Sequence, residues 1–153
     1  MTVPSEALAP RASSRDGDRL YFHGTAVAVG GKGILILGPS GSGKSSLALA
    51  LLAHGANLIC DDGVWLDGLD LTRPDGAPDL IEARGVGLLH AGPICPRAPL
   101  SLVVDLDRAE TDRLPPRRLV HLHNQKVELI LAAGQVTLAP TLIHLLRYGR
   151  ADL

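Results

Sequence analysis

The chain has 153 residues, enough for about one domain with a real core, and with 46% hydrophobic but only 3% aromatic residues that core must be aliphatic. A formal net charge of -1 without a basic stripe argues against nucleic acid as the main partner, and no run of about 18 apolar residues offers a membrane span. Cys60 and Cys95 form neither a disulfide framework nor a metal motif and read as reduced thiols of a cytoplasmic protein, and the N-terminus lacks the basic flank and apolar core of a signal peptide.

Residues 1–18 are rich in Pro, Ser, Ala and charge and read as a disordered tail, which leaves 19–153 as the folded domain. Residues 25–29 (TAVAV) are predicted to form a strand, and the glycines of 30–33 can turn it back into the apolar strand 33–37 (GILIL). His23 and Gly24 then lie at the start of this hairpin.

The run that follows is Gly38-Pro39-Ser40-Gly41-Ser42-Gly43-Lys44-Ser45. It meets every fixed position of the P-loop pattern G-x-x-x-x-G-K-[ST]. Its glycines let successive backbone N–H groups turn inward onto phosphate oxygens. Lys44 supplies a point charge for the β- and γ-phosphates, and the Ser45 hydroxyl is a ligand for Mg²⁺. A helix over 46–54, ended by Gly55, completes the strand–loop–helix context that binds phosphate at a helix N-terminus.

Residues 56–60 read as the next strand, and it runs directly into Asp61 and Asp62. Two carboxylates at a strand end, one helix after a P-loop, suit Mg²⁺ binding or proton transfer. Residues 64–66 and 69–72 flank Asp67-Gly68, a hairpin signal. Residues 80–89 mix strand formers with a Glu, an Arg and two glycines, and charges in so apolar a setting need a partner or a task. After the proline loop 93–99, residues 100–106 form a buried strand and 107–118 an exposed, proline-broken loop. Residues 120–123 and 127–131 are predicted to pair, and 141–148 to form a short amphipathic helix closed by Gly149. His121, His123 and His144 have no metal-ligand spacing. The fold class is therefore α/β, a P-loop core rich in strands and hairpins with few helices.

The chain resembles the catalytic domain of the HPr kinase/phosphorylase family, bacterial enzymes that phosphorylate a serine of the phosphocarrier protein HPr. The resemblance runs from about Leu20 to at least Leu114. It rests on the P-loop, on His23-Gly24, on Cys60-Asp61-Asp62, on the run from Glu82 to Gly87 (EARGVG) and, more weakly, on Asp112-Arg113-Leu114. It implies ATP and Mg²⁺ as cofactors and HPr as partner. Lys44 and the loop amides would hold the phosphates, Ser45 and Glu82 would serve the metal, and Asp61 or Asp62 would take the serine proton. His23 and Arg113 would assist at the transferred phosphoryl group. It also implies a reverse phosphorolysis, in which inorganic phosphate releases pyrophosphate from phosphoserine, and assembly as a hexamer.

This chain departs from the family's pattern in three ways. Only a short tail precedes the catalytic region, as in a form that has the catalytic domain alone. Ser46 stands where an acidic residue usually follows the P-loop serine. The family's downstream Gly-Arg-Asn loop has as its nearest match 132–135, which keeps only the glycine. A non-catalytic nucleotide sensor and a small-molecule P-loop kinase are the alternative functions.

Overall fold

The computed structural model describes residues 3–151. Its strands are β1 (Ser5–Ala7), β2 (Ser14–Asp16), β3 (Arg19–Phe22), β4 (Thr25–Val29) and β5 (Lys32–Leu37), followed by helix α1 (Lys44–Ala53). Then come β6 (Asn57–Cys60), β7 (Val64–Asp67), β8 (Asp70–Thr72), β9 (Leu80–Ala83), β10 (Gly87–His90), β11 (Arg97–Asp105), β12 (Arg118–Leu122), β13 (Gln125–Leu131) and helix α2 (Leu138–Tyr148). This strand-rich α/β architecture with two helices is the one the sequence predicts.

The main sheet runs β6-β4-β5-β11-β13-β12-β1. Strand β11 is long enough to serve two layers. Its first residues pair antiparallel with β8, and its last ones lie parallel between β5 and β13. From β8 a second layer continues through β7 and β3 to β2. Alternation along β4 and β5 explains the stacking. Val27, Val29, Ile34 and Ile36 face α1 and α2, whereas Ala26, Ala28, Leu35 and Leu37 face the second layer. Every residue of the two strands except Lys32 is buried, as a strand covered on both sides requires.

Strands β5, β11 and β13 are mutually parallel, and β6 shares their direction because both it and β5 run antiparallel to β4. Four strand C-termini therefore open at one edge. Ligands of α/β sheets gather at such an edge.

The N-terminal segment corrects the expectation of a disordered tail over 1–18; residues 1 and 2 lie outside the described residues. Ser5–Ala7 pairs parallel with 119–121, Ser14–Asp16 pairs with β3, and Leu8 is 1% exposed in the core between the sheets. One buried leucine and a guanidinium, that of Arg11 on Asp105 at 3.1 Å, anchor a stretch whose composition resembles that of a solvated tail. Helix α2 starts three residues earlier than expected. Pro140 falls in its first turn, where no intrahelical N–H is lost. The hairpin β12–β13 turns tightly at His123 and Asn124, both with left-handed φ (50° and 61°), the conformation of a two-residue I′ turn.

Candidate functional site

The P-loop leaves β5 at Gly38 and enters α1 at Lys44. A side chain at Gly38 would run into the Ser42 hydroxyl, 2.5 Å from the Cβ position, so the tight return of the loop requires glycine there. The Lys44 ammonium folds over the loop and donates to the carbonyls of Gly38 (2.7 Å) and Pro39 (3.1 Å). It thus stands above the backbone cradle and outside the core.

Strand β6 delivers Asp61 to this loop from across β4. Its carboxylate is held by three neutral donors: the hydroxyls of Thr25 (2.9 Å) and Ser45 (2.7 Å) on Oδ1 and the backbone N–H of Glu82 (3.1 Å) on Oδ2. Thr25 is completely buried and also accepts the Asp62 N–H at 3.4 Å. Asp62 itself has a left-handed φ of 61°, a turn geometry that aspartate tolerates. Among the described residues its carboxylate makes no hydrogen bond. Gly63 follows because any Cβ there would overlap the Tyr21 hydroxyl.

His23 is exposed at the mouth of the site, and its ring meets Tyr21 edge to face (centroids 5.4 Å apart). Tyr21 in turn packs on Trp65 at 5.1 Å, and Arg19 lies 4.2 Å above the Trp65 ring. Burial first, then the charges of Cys60 and Asp62, push the Tyr21 phenol above its ordinary pKa, so it stays a neutral hydrogen-bonding group beside the carboxylates. Burial likewise raises the Cys60 thiol, which is no reactive thiolate.

The P-loop, His23, Thr25 and the two aspartates, with Glu82 and Arg84, line a cleft of about 480 Å³. Of the residues predicted from sequence it gathers His23, Gly38, Pro39, Ser40, Gly41, Gly43, Lys44, Ser45, Asp61, Asp62 and Glu82. Ser42 turns inward instead, its hydroxyl buried. Arg113 is not brought to the cleft. It is exposed on the loop after β11, in which Glu110 accepts two bonds from Arg118 (2.8 and 3.1 Å). The guanidinium that lines the cleft belongs to Arg84, at the turn of the β9–β10 hairpin. Sequence reasoning also passed over Thr25. Arg84 had a signal, a lone arginine between Glu82 and a glycine in an apolar run; a threonine at a strand start carries none.

The donor set is one of hard oxygens: Ser45, Asp61 and Glu82. Among the described residues no three His, Cys, Asp or Glu side chains could cage a metal by themselves. Hard oxygens are the ligands Mg²⁺ takes, alongside several waters and phosphate oxygens. No helix among the described residues is long and apolar enough to cross a membrane.

Residues 17–136 match the family described as HPr Serine kinase C-terminal domain. An HPr kinase/phosphorylase of Azoarcus sp. (strain BH72) is 36% identical over 150 residues, covering 84% of this chain and 48% of that protein. One of Xanthomonas campestris pv. campestris (strain B100) is 32% identical over 160 residues, covering 88% and 51%. The chain thus spans about half the length of these curated relatives. The solved Hpr(Ser) kinase/phosphatase of Coxiella burnetii has the same fold, with a TM-score of 0.67 at 24% identity over 83% of this chain and 93% of that one. The order of the signatures along the sequence, the cleft that assembles them and the match over 17–136 agree: the chain belongs to the HPr serine kinase C-terminal domain family.

Proposed function

We propose that this chain is an ATP-dependent serine kinase acting on HPr. The observation that carries the reading is the Ser45–Asp61 hydrogen bond of 2.7 Å, which fixes a carboxylate against the P-loop serine, where a metal-bound triphosphate needs it. Lys44 and the loop amides hold the phosphates. Ser45, Asp61 and Glu82 would hold Mg²⁺, which when bound neutralises phosphate charge.

The geometry favours a division of labour between the two aspartates. Asp61 has both oxygens engaged by Thr25, Ser45 and the Glu82 N–H and is an orienting and metal-side group. Asp62, in the same cleft with a free carboxylate, is the general base. The serine oxygen attacks the γ-phosphorus, the bond to the β-phosphate oxygen breaks, and the serine proton passes to Asp62. His23 and Arg84 flank the transferred group. Arg84 takes the part that the family resemblance gave to Arg113.

Phosphorolysis of phosphoserine-HPr would need a second anion held in line with the first. Lys126 and Arg147 do not supply the charge. They sit at or near the opposite edge, on the first residues of β13 and on the last turn of α2, so the forward reaction is the favoured one. The experiment is transfer of labelled γ-phosphate from ATP to purified HPr. Incorporation into one serine supports the reading. Nucleotide binding without transfer to HPr would leave a nucleotide sensor, and transfer to a metabolite instead would leave a small-molecule kinase. A cytoplasmic location and assembly as a hexamer belong to the same reading.

A further inference from the structure

The β9–β10 hairpin carries two groups of the cleft, Glu82 and Arg84, yet it is a two-stranded sheet of its own and pairs with no strand of the main sheet. Ile81, 1% exposed, packs into the same apolar cluster as α1, and the Glu82 N–H reaches Asp61 at 3.1 Å. Apolar packing is non-directional. It buries the hairpin but does not by itself hold a carboxylate to within the roughly 0.5 Å that a binding constellation requires. Asp61 needs a fixed reference as well, since β6 is an edge strand with β4 as its ladder partner.

One side chain joins the two. Arg73 directly follows β8, and its backbone N–H donates to the Pro96 carbonyl at 3.2 Å. Its side chain is 14% exposed. Nη1 donates to the carbonyl of Ile59 at 3.2 Å, on β6 just before Cys60 and Asp61. Nη2 donates to the Ala77 carbonyl at 2.6 Å and to Asp79 Oδ1 at 2.7 Å. Asp79 immediately precedes β9, and its own carbonyl accepts the Ala91 N–H at 3.0 Å, which closes the open end of the hairpin. The Asp79 carboxylate is 70% exposed, so its ion pair with Arg73 contributes little stability. What the guanidinium supplies is geometry, a planar fork whose two terminal nitrogens reach acceptors on separate segments. A lysine ammonium, a single nitrogen on a flexible stem, does not span them.

We propose that Arg73 is a positioning residue for the metal side of the site: by tying the foot of the β9–β10 hairpin to β6, it sets the spacing of Glu82 from Asp61. It does not line the cleft itself. The inference rests on the reading that these two carboxylates serve Mg²⁺, and the wild-type chain tests that reading separately. Calorimetry of the full chain uses ADP, which lacks the phosphoryl group that Arg84 flanks. Wild type should bind ADP about tenfold tighter with Mg²⁺ than with EDTA, a usual size for coupled ligands. Arg73→Lys should cut this ratio to about twofold, while ADP affinity in EDTA stays within about twofold of wild type. In a Glu82→Gln background the same substitution should change the ratio little, because the hairpin then holds no carboxylate to position. A residue that only stabilises the fold would lower the melting temperature and leave the ratio of the folded protein at its wild-type value, or weaken ADP equally with and without Mg²⁺. Either result overturns the proposal. Asp79→Ala removes one of the three contacts at an exposed side chain and keeps the test open if Arg73→Lys does not fold. Its ratio should fall about twofold, and an unchanged ratio there would sink the idea. A wild-type chain whose ADP affinity does not respond to Mg²⁺ would overturn the metal reading of Asp61 and Glu82, and the inference with it.

Discussion

Two carboxylates stand at strand ends of the same sheet edge, on either side of the P-loop strand, and the protein treats them in opposite ways. Asp105 ends β11 beside Leu37 of β5, and Asp61 follows β6 on the other side of the P-loop strand. Asp105 is completely buried and accepts from the Asp107 N–H (2.8 Å), Arg11 (3.1 Å) and Arg108 (2.9 Å); Arg108 continues to Glu6 at 2.8 Å. Its charge is consumed in tying the N-terminal segment to the sheet. Asp61 is oriented just as firmly, but only by neutral donors, and no cationic side chain pairs with it among the described residues. A carboxylate whose charge the protein neutralises holds structure together. One that is positioned and left without a cationic partner is, on the function proposed above, free to serve a cation.

The contrast can be broken most visibly by removing each charge in turn. Asp105→Ala should cost about 3 kcal/mol of stability, the lower end for a broken buried pair, because Arg11 and Arg108 keep side-chain exposures of 30% and 45% and can rehydrate. Urea denaturation measures this, and ADP affinity of the folded fraction should be unchanged. Near-wild-type stability would mean that Asp105 does not anchor the segment. Lys44→Ala should do the reverse. Its melting curve should match wild type, while transfer falls by about two orders of magnitude, or about 2.7 kcal/mol. Asp62→Asn should slow transfer at least tenfold, about 1.4 kcal/mol, with ATP affinity little altered. Asp61→Asn should instead raise the Mg²⁺ concentration needed for half-maximal rate. If the Mg²⁺ requirement moves with Asp62 and not with Asp61, the assignments are exchanged.

The site was more legible in the sequence than the frame around it. The P-loop and the Asp61-Asp62 pair are contiguous runs whose chemistry follows from residue type and spacing, and the structure brings them into one cleft. Arg113 does not line the cleft; its motif is three residues in an exposed loop, whose path so short a run does not determine. Arg84 was within reach, being a charge that the apolar 80–89 run did not explain. The N-terminal segment was misread for a physical reason. Its order depends on Leu8 and Arg11 meeting partners more than ninety residues away, and local composition carries no trace of such contacts. Likewise, a β11 that pairs with two layers cannot be deduced from its own apolar run.

The smallest effect, and the sharpest test of the contrast, is in the acid limb of stability. Burial alone would raise the Asp105 carboxyl, but the Asp107 N–H and the guanidiniums of Arg11 and Arg108 outweigh it and hold the group below its ordinary value of 3.8. Glu110 is lowered from 4.5 to about 2, chiefly by its hydrogen bonds from Arg118. In both cases the folded protein binds protons less readily than the unfolded chain. Stability from these groups is therefore fully present above the unfolded values and is lost as pH falls through them towards the folded ones. The window runs from about pH 5 down to about pH 2. Glu110 lies at the surface and its share is screened by solvent, so Asp105 should dominate. Urea midpoints at pH 7, 4 and 3 should fall for wild type and fall less for Asp105→Asn, which starts lower. If Asp105→Asn left the acid limb as steep as in wild type, the buried ion network at the end of β11 would not be what sets it.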